Sequence, residues 1–280
     1  MAQMKNYFSS ARIFSTSFHL VDRSPWPILA GLAALQLPLT LLTYVDSGQT
    51  KFFWAALLFL VFIIRRWSKD IIAEGTFQGM HTKDVQKGIV IGYLLFILSE
   101  IMLFGSFFGS YFYYCVEPSL WVGSVKFASP FLSLIDPWAL PLLNSALLLS
   151  SSVFVTFAHH EIAAVKKVNP QGDLKFILLM LILTIILGAL FSVCQWYEYN
   201  YAQFCVQDTT YGSLFYLITG FHGLHVIIGL IFLSITFSRL RKNHFTVEHH
   251  LGFEFSALYW HFVDAVWFFV YTFLYVYVSL

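Results

Sequence analysis

The chain has 280 residues, of which 58% are hydrophobic and only 11% charged, with a net charge of +1 and a mean hydropathy of +0.72. A soluble domain carries about a quarter charged residues, and no single aqueous core hides this much apolar surface. The numbers exclude an ordinary soluble protein and indicate a polytopic membrane protein with little mass outside the bilayer.

Residues 1–17 hold Lys5, Arg12, four serines and no acid, and read as an ordinary exposed terminus. Beyond them, seven segments supply the roughly 20 mostly apolar residues that a spanning helix needs: 27–45, 51–67, 88–115, 138–165, 174–203, 211–240 and 250–279. The chain is therefore expected to be all-α with seven transmembrane helices. Asp46-Ser47-Gly48 ends the first helix, and 68–87 is expected as a polar loop containing Gly75 and Gly79. Pro118, Pro130 and Pro137 punctuate the longest loop, 116–135 and its exit, and Asn169-Pro170-Gln171-Gly172 closes the fourth helix. The expected divisions are 1–67, with helices one and two; 68–87, the polar loop; and 88–280, with helices three to seven.

Threading these spans alternately puts fourteen of the sixteen Lys and Arg residues on one side, leaving only Lys51 and Lys126 on the other. The positive-inside rule places the N-terminus inside, which in a mitochondrion is the matrix, and the C-terminus outside. Rhodopsin-like receptors have the opposite N-terminus, and a retinal pigment needs a lysine in its last helix, where 250–279 has none.

Ionisable groups deep in a membrane are costly and mark function or specific pairing. Glu100 falls about 12 residues into the third helix, roughly 18 Å along it and near mid-membrane. His222 and His225, within GFHGLHVIIG at 220–229, and His261 and Asp264 occupy comparable depths in helices six and seven. Each pair is spaced i, i+3 and shares a helix face. A proton relay, a metal site and hydrogen bonding between packed helices would all leave this trace. The glycines at 105, 109, 220, 223 and 229 favour close helix packing. Glu100 is expected to be protonated at neutral pH, the competing picture being an ion pair with His222, His225 or His261. A proton antiporter or channel built on Glu100 and the buried histidines is the alternative reading from a different class.

Seven further histidines gather toward the inner ends of the helices, including His81, His159, His160, His244, His249 and His250. They form no HxxxH or HxxHH box of the di-iron hydroxylase type, and Cys115, Cys194 and Cys205 form no close pair. No metal is therefore expected in this chain. Glu74, His81, Arg239, Lys242 and His244, at headgroup depth, suit phospholipid phosphates.

Several motifs occur together: FHLVDRSPWP at 18–27, EGTFQG at 74–79 followed by His81-Thr82, VQKG at 85–88, Ser99-Glu100, PLLNS at 141–145 and AHH at 158–160. YGS at 211–213, GFHGLHVIIG, His249-His250, GFE at 252–254 and YWHFVD at 259–264 complete the set. In this order, over most of the chain, they resemble subunit III of the haem–copper cytochrome c oxidases. Departures from that family's pattern are Ala73 and Met80 in place of an arginine and a histidine, Tyr201 in place of an acid, and the composition of the 116–135 loop. The resemblance implies a two-helix bundle and a five-helix bundle with lipid between them, and no haem or copper in this chain. It implies subunits I and II, further accessory subunits and phospholipids such as cardiolipin as partners, and no nucleic acid. It further implies an accessory core subunit of the terminal oxidase, in the mitochondrial inner membrane or, less expected, a bacterial plasma membrane. Such a subunit stabilises the oxygen-reducing subunit and supports proton uptake, while its partners oxidise cytochrome c and reduce oxygen to water. Glu100 and the buried histidines would then serve helix packing and proton tuning, not ligation.

Overall fold

The computed structural model describes residues 18–116, 134–164, 170–246 and 250–279. Most of the long 116–135 loop, His249, and the basic residues Lys5, Arg12, Lys126, Lys166 and Lys167 lie outside these. Among the described residues there are seven long helices: α1 (Trp26–Ser47), α2 (Lys51–Thr76), α3 (Lys83–Val116), α4 (Leu140–Ala164), α5 (Pro170–Tyr201), α6 (Thr210–Arg241) and α7 (Leu251–Val270). α7 continues through a π-helical turn, Tyr271–Val276, into a last helical turn, Tyr277–Ser279.

The termini of these helices have local chemical causes. α1 starts with proline in its first turn, where no amide hydrogen bond is lost. It stops at Gly48, whose φ of 69° lets its N–H bond back to the Tyr44 carbonyl at 2.8 Å. α6 is capped by the Thr209 hydroxyl, which accepts the Gly212 N–H at 3.0 Å.

Six of the seven helices are long and apolar enough to cross a membrane, which makes this a multi-pass membrane protein. The exception is α2. Its apolar run ends at Ile64, and Arg65, Arg66, Lys69, Asp70 and Glu74 follow while the backbone stays helical to Thr76. The segment 68–87, expected as a polar loop, is accordingly mostly helix, because α3 already begins at Lys83. Polarity marks where the chain leaves an apolar environment, not where its helix ends.

The chain divides into two compact units, one ending at Ile91 and one beginning at Gly92. In the first, α1 packs on α2 and the Trp26 indole donates to Asp70 Oδ2 at 2.6 Å. Burial there is sparse: Ala33 on α1, and Ala56 and Ile63 on α2.

In the second unit α4 packs on α5, α5 on α6, α6 on α7, and α7 on α4, so four helices close a ring. α3 adds to it through side chains: Tyr93 stacks on Phe255, and Phe104 sits edge-on to His225 and Phe262. Trp260 of α7 is the residue around which the ring closes. Its indole fills the space that side chains would take at Gly188 of α5 and Gly229 of α6. A Cβ built at those positions falls 2.5 Å and 2.9 Å from the ring. Its N–H donates to Ser151 Oγ of α4 at 2.9 Å. One fully buried side chain thus touches the other three helices of the ring, and glycine is required at both close approaches.

Candidate functional site

α6 carries both central histidines, and the fold sends them to different partners. His222 is 1% exposed. Its Nε2–H donates to the Val263 carbonyl of α7 at 3.1 Å, and its ring lies against Phe191 and Trp267. His225 turns toward α3, where its Nε2 meets Glu100 Oε2 at 2.8 Å.

The protons of this pair can be placed by elimination. His225 Nδ1 lies 2.7 Å from the Phe221 carbonyl, which can only accept, so Nδ1 carries a hydrogen. A single further proton remains for the Nε2–Oε2 bond. On the carboxyl it gives a neutral acid beside a neutral imidazole; on the imidazole it gives an ion pair. The two states differ by one proton moved along a 2.8 Å hydrogen bond, with no change in net charge. Both side chains are largely shielded, at 7% exposure for His225 and 19% for Glu100, and the neighbours are aromatic: Phe104, Tyr259 and Phe262.

The other two residues of this set lie elsewhere. His261 Nε2 is 3.3 Å from Thr156 Oγ1 of α4, and Asp264 follows one turn later on α7. The structure therefore joins Glu100 to His225 and leaves His222 and His261 in separate helix-to-helix contacts.

A further polar locus lies on α5, outside the residues the sequence singles out. Glu198 of α5 is 4% exposed, with Tyr275 Oη donating to its Oε1 at 2.5 Å and Gln195 Nε2 at 3.4 Å. Glu198 Oε2 and Gln195 Oε1 are buried without a hydrogen-bond partner among the described residues. The sequence signal was Gln195 and Glu198 at i, i+3 on an otherwise apolar helix.

The residues expected at phosphates fall in both units. In the first, Glu74 lies near the end of α2, and the His81 ring packs so closely on Gly75 that a Cβ there would come within 2.6 Å. In the second, the Arg239 guanidinium stacks over Phe245 at 4.3 Å and lies against Gly252, where a Cβ would be 2.7 Å from Nη1. Lys242 caps α6, and the His244 N–H returns to the Arg239 carbonyl at 3.1 Å. Desolvation, reinforced by Arg239 and Lys242, lowers the His244 pKa below its ordinary 6.5.

Comparison with known proteins gives a family for the chain. Residues 16–279 match the cytochrome c oxidase subunit III family. The chain is 43% identical over 259 residues to cytochrome c oxidase subunit 3 of Cyprinus carpio, covering 92% of this chain and 96% of the relative. It is 44% identical over 260 residues to that of Prototheca wickerhamii and 42% identical over 258 residues to that of Pisaster ochraceus, with the same coverages.

Proposed function

The chain belongs to the cytochrome c oxidase subunit III family, and from that premise we propose that it is an accessory core subunit of the terminal respiratory oxidase in a mitochondrial inner membrane. It holds phospholipid, stabilises the oxygen-reducing subunit and supports proton uptake, while haem and copper reside in subunits I and II. All seven helices cross the membrane in this reading, α2 with its basic end at the headgroups, the N-terminus in the matrix and the C-terminus outside.

The observation that carries the reading is the match across residues 16–279, nearly the whole chain. Arg239, Lys242 and His244 in one unit and Glu74 and His81 in the other supply chemistry suited to lipid phosphates. Glu100 tunes proton uptake through His225 and takes no part in the oxygen chemistry. The antiporter or channel alternative is not favoured, because the chain matches an oxidase subunit family along nearly its whole length.

Purification in mild detergent tests the assignment: a haem-bearing twelve-helix partner should accompany the chain, and a chain that works alone would refute it. A triple variant removing charge at Arg239, Lys242 and His244 should lose bound phospholipid before the oxidase spectrum changes. Unchanged lipid content would count against the lipid role. Glu100→Gln should keep most turnover in an assembled complex, with complete loss placing Glu100 in an essential proton path. Infrared spectra of wild type and Glu100→Gln separate the two protonation states, as a lost carboxylic-acid band or a lost carboxylate band.

A further inference from the structure

Independently of that reading, we propose that His159, His250 and Glu254 form a binding site for a divalent transition-metal cation of the zinc type. His159 lies near the end of α4, His250 at the N-cap of α7 and Glu254 in its first turn. One ligand atom from each lies within 4.8 Å of the other two. His250 Nε2 and Glu254 Oε1 are already 3.1 Å apart. In a tetrahedral site with bonds of about 2.0–2.2 Å, ligand atoms stand roughly 3.3–3.5 Å from one another. Two ligands are therefore in place, and the His159 ring, which stacks on Phe253, holds the third within 4.8 Å of both.

The hydrogen-bonding pattern is a second, independent indication. His250 Nδ1 is 3.2 Å from the Thr246 carbonyl, an acceptor only, so the hydrogen resides on Nδ1. The neutral imidazole then presents the lone pair of Nε2 to a carboxylate oxygen, and two acceptors 3.1 Å apart require a positive charge between them. That charge is either a proton or a cation. An imidazole whose second nitrogen donates to a backbone carbonyl is the orientation in which histidine ligates metals. Two imidazoles, borderline donors, with one carboxylate suit zinc and its neighbours and suit magnesium or calcium poorly, since those ions take oxygen ligands. Three protein ligands leave a position for water, and Glu254 is exposed enough, at 40% of its side chain, for exchange with the medium. An occupied site would tie the end of α4 to the start of α7.

Sequence spacing predicted no metal because each half of this set is incomplete by itself. His250 and Glu254 make an i, i+4 pair, and His159 comes from 91 residues earlier, as the two numbers give directly.

The test uses the intact purified oxidase complex, equilibrated with Zn2+ alone at micromolar free concentration. Zinc is counted by elemental analysis against the same complex carrying His250→Ala with Glu254→Gln, subunit content being checked by mass spectrometry. Wild type should hold about one more zinc than the variant, and equal zinc contents overturn the proposal. A measurement on wild type alone covers a variant that loses the subunit: Zn2+ should protect His159 and His250 from carbethoxylation, mapped on peptides. Unprotected histidines at saturating zinc would leave only a proton between His250 and Glu254 and sink the metal site.

Discussion

The two units use the same composition in opposite ways. α1 and α2 bury three residues between them, all small or aliphatic, while Leu42 and Leu58 stand 65% and 68% exposed. α6 alone buries thirteen residues, among them two histidines, two threonines and two glycines. The difference teaches what fixes a helix when its surroundings are as apolar as itself. Leucine does not discriminate between a lipid chain and another helix, so association must come from close packing and polar pairing. The second unit has both, in Trp260 against its two glycines and in Glu198 under Tyr275. The first is joined by the contact of Trp26 with Asp70.

The largest effect should follow removal of the residue at the centre of the ring. Trp260→Ala leaves a cavity among four helices and should destabilise the second unit by about 3–5 kcal/mol, read as a lower melting temperature of the purified complex. Leu42→Ala in the first unit should stay within ~0.5 kcal/mol; comparable losses would erase the contrast. Tyr275→Phe should come next, at about 1–3 kcal/mol, because it removes the closer of the two donors to a buried carboxyl. Retained stability would mean that Gln195 alone satisfies Glu198. Trp26→Phe, which deletes the indole bond to Asp70, should cost about 1 kcal/mol and loosen α1 from α2, measured by protease sensitivity between Ser47 and Lys51. Full resistance would show that apolar contacts suffice there.

The smallest effect is a pH slope. His244 has its pKa depressed in the folded chain, so below 6.5 the unfolded chain takes up a proton that the folded one resists. Stability from this group is complete above 6.5 and is lost as pH falls toward the depressed value. His244→Asn should flatten that part of the stability–pH curve slightly, since the ring is only half-buried. An unchanged slope would show that the ring is solvated in the complex.

Apolar runs and turn residues made six helices legible almost to their ends, and Gly48 stops α1 where Asp46-Ser47-Gly48 predicted. The helix beyond Ile64 was not legible, because Lys, Arg, Asp and Glu are as compatible with a solvated helix as with a loop. The sequence placed Glu100 and three histidines at similar depth and named their pairing as a rival to an isolated acid. Choosing His225 from the three required the rotation of α6, which one turn of helix decides and no spacing encodes. Trp260 was seen as part of a motif, yet its contacts on three other helices depend on residues as distant as Ser151 and are a property of the ring. The metal-type triad escaped for the same reason, His159 and His250 meeting only when α4 and α7 are adjacent.

The π-helical turn at Tyr271–Val276 bears on how α7 can move. There Tyr277 N–H reaches back five residues to the Thr272 carbonyl, and the wider turn lets neighbouring carbonyls accept from outside the helix. Tyr111 of α3 donates to the Phe273 carbonyl at 2.6 Å and Tyr211 of α6 to the Leu274 carbonyl at 2.7 Å, while Tyr275 itself holds Glu198 of α5. Three phenolic straps thus grip α7 at one end, and Trp260 keys it between glycines further down. A rod held at two heights resists spin about its long axis. Torque on α7 is therefore passed to the ring through these contacts instead of being taken up by one helix screwing past the others.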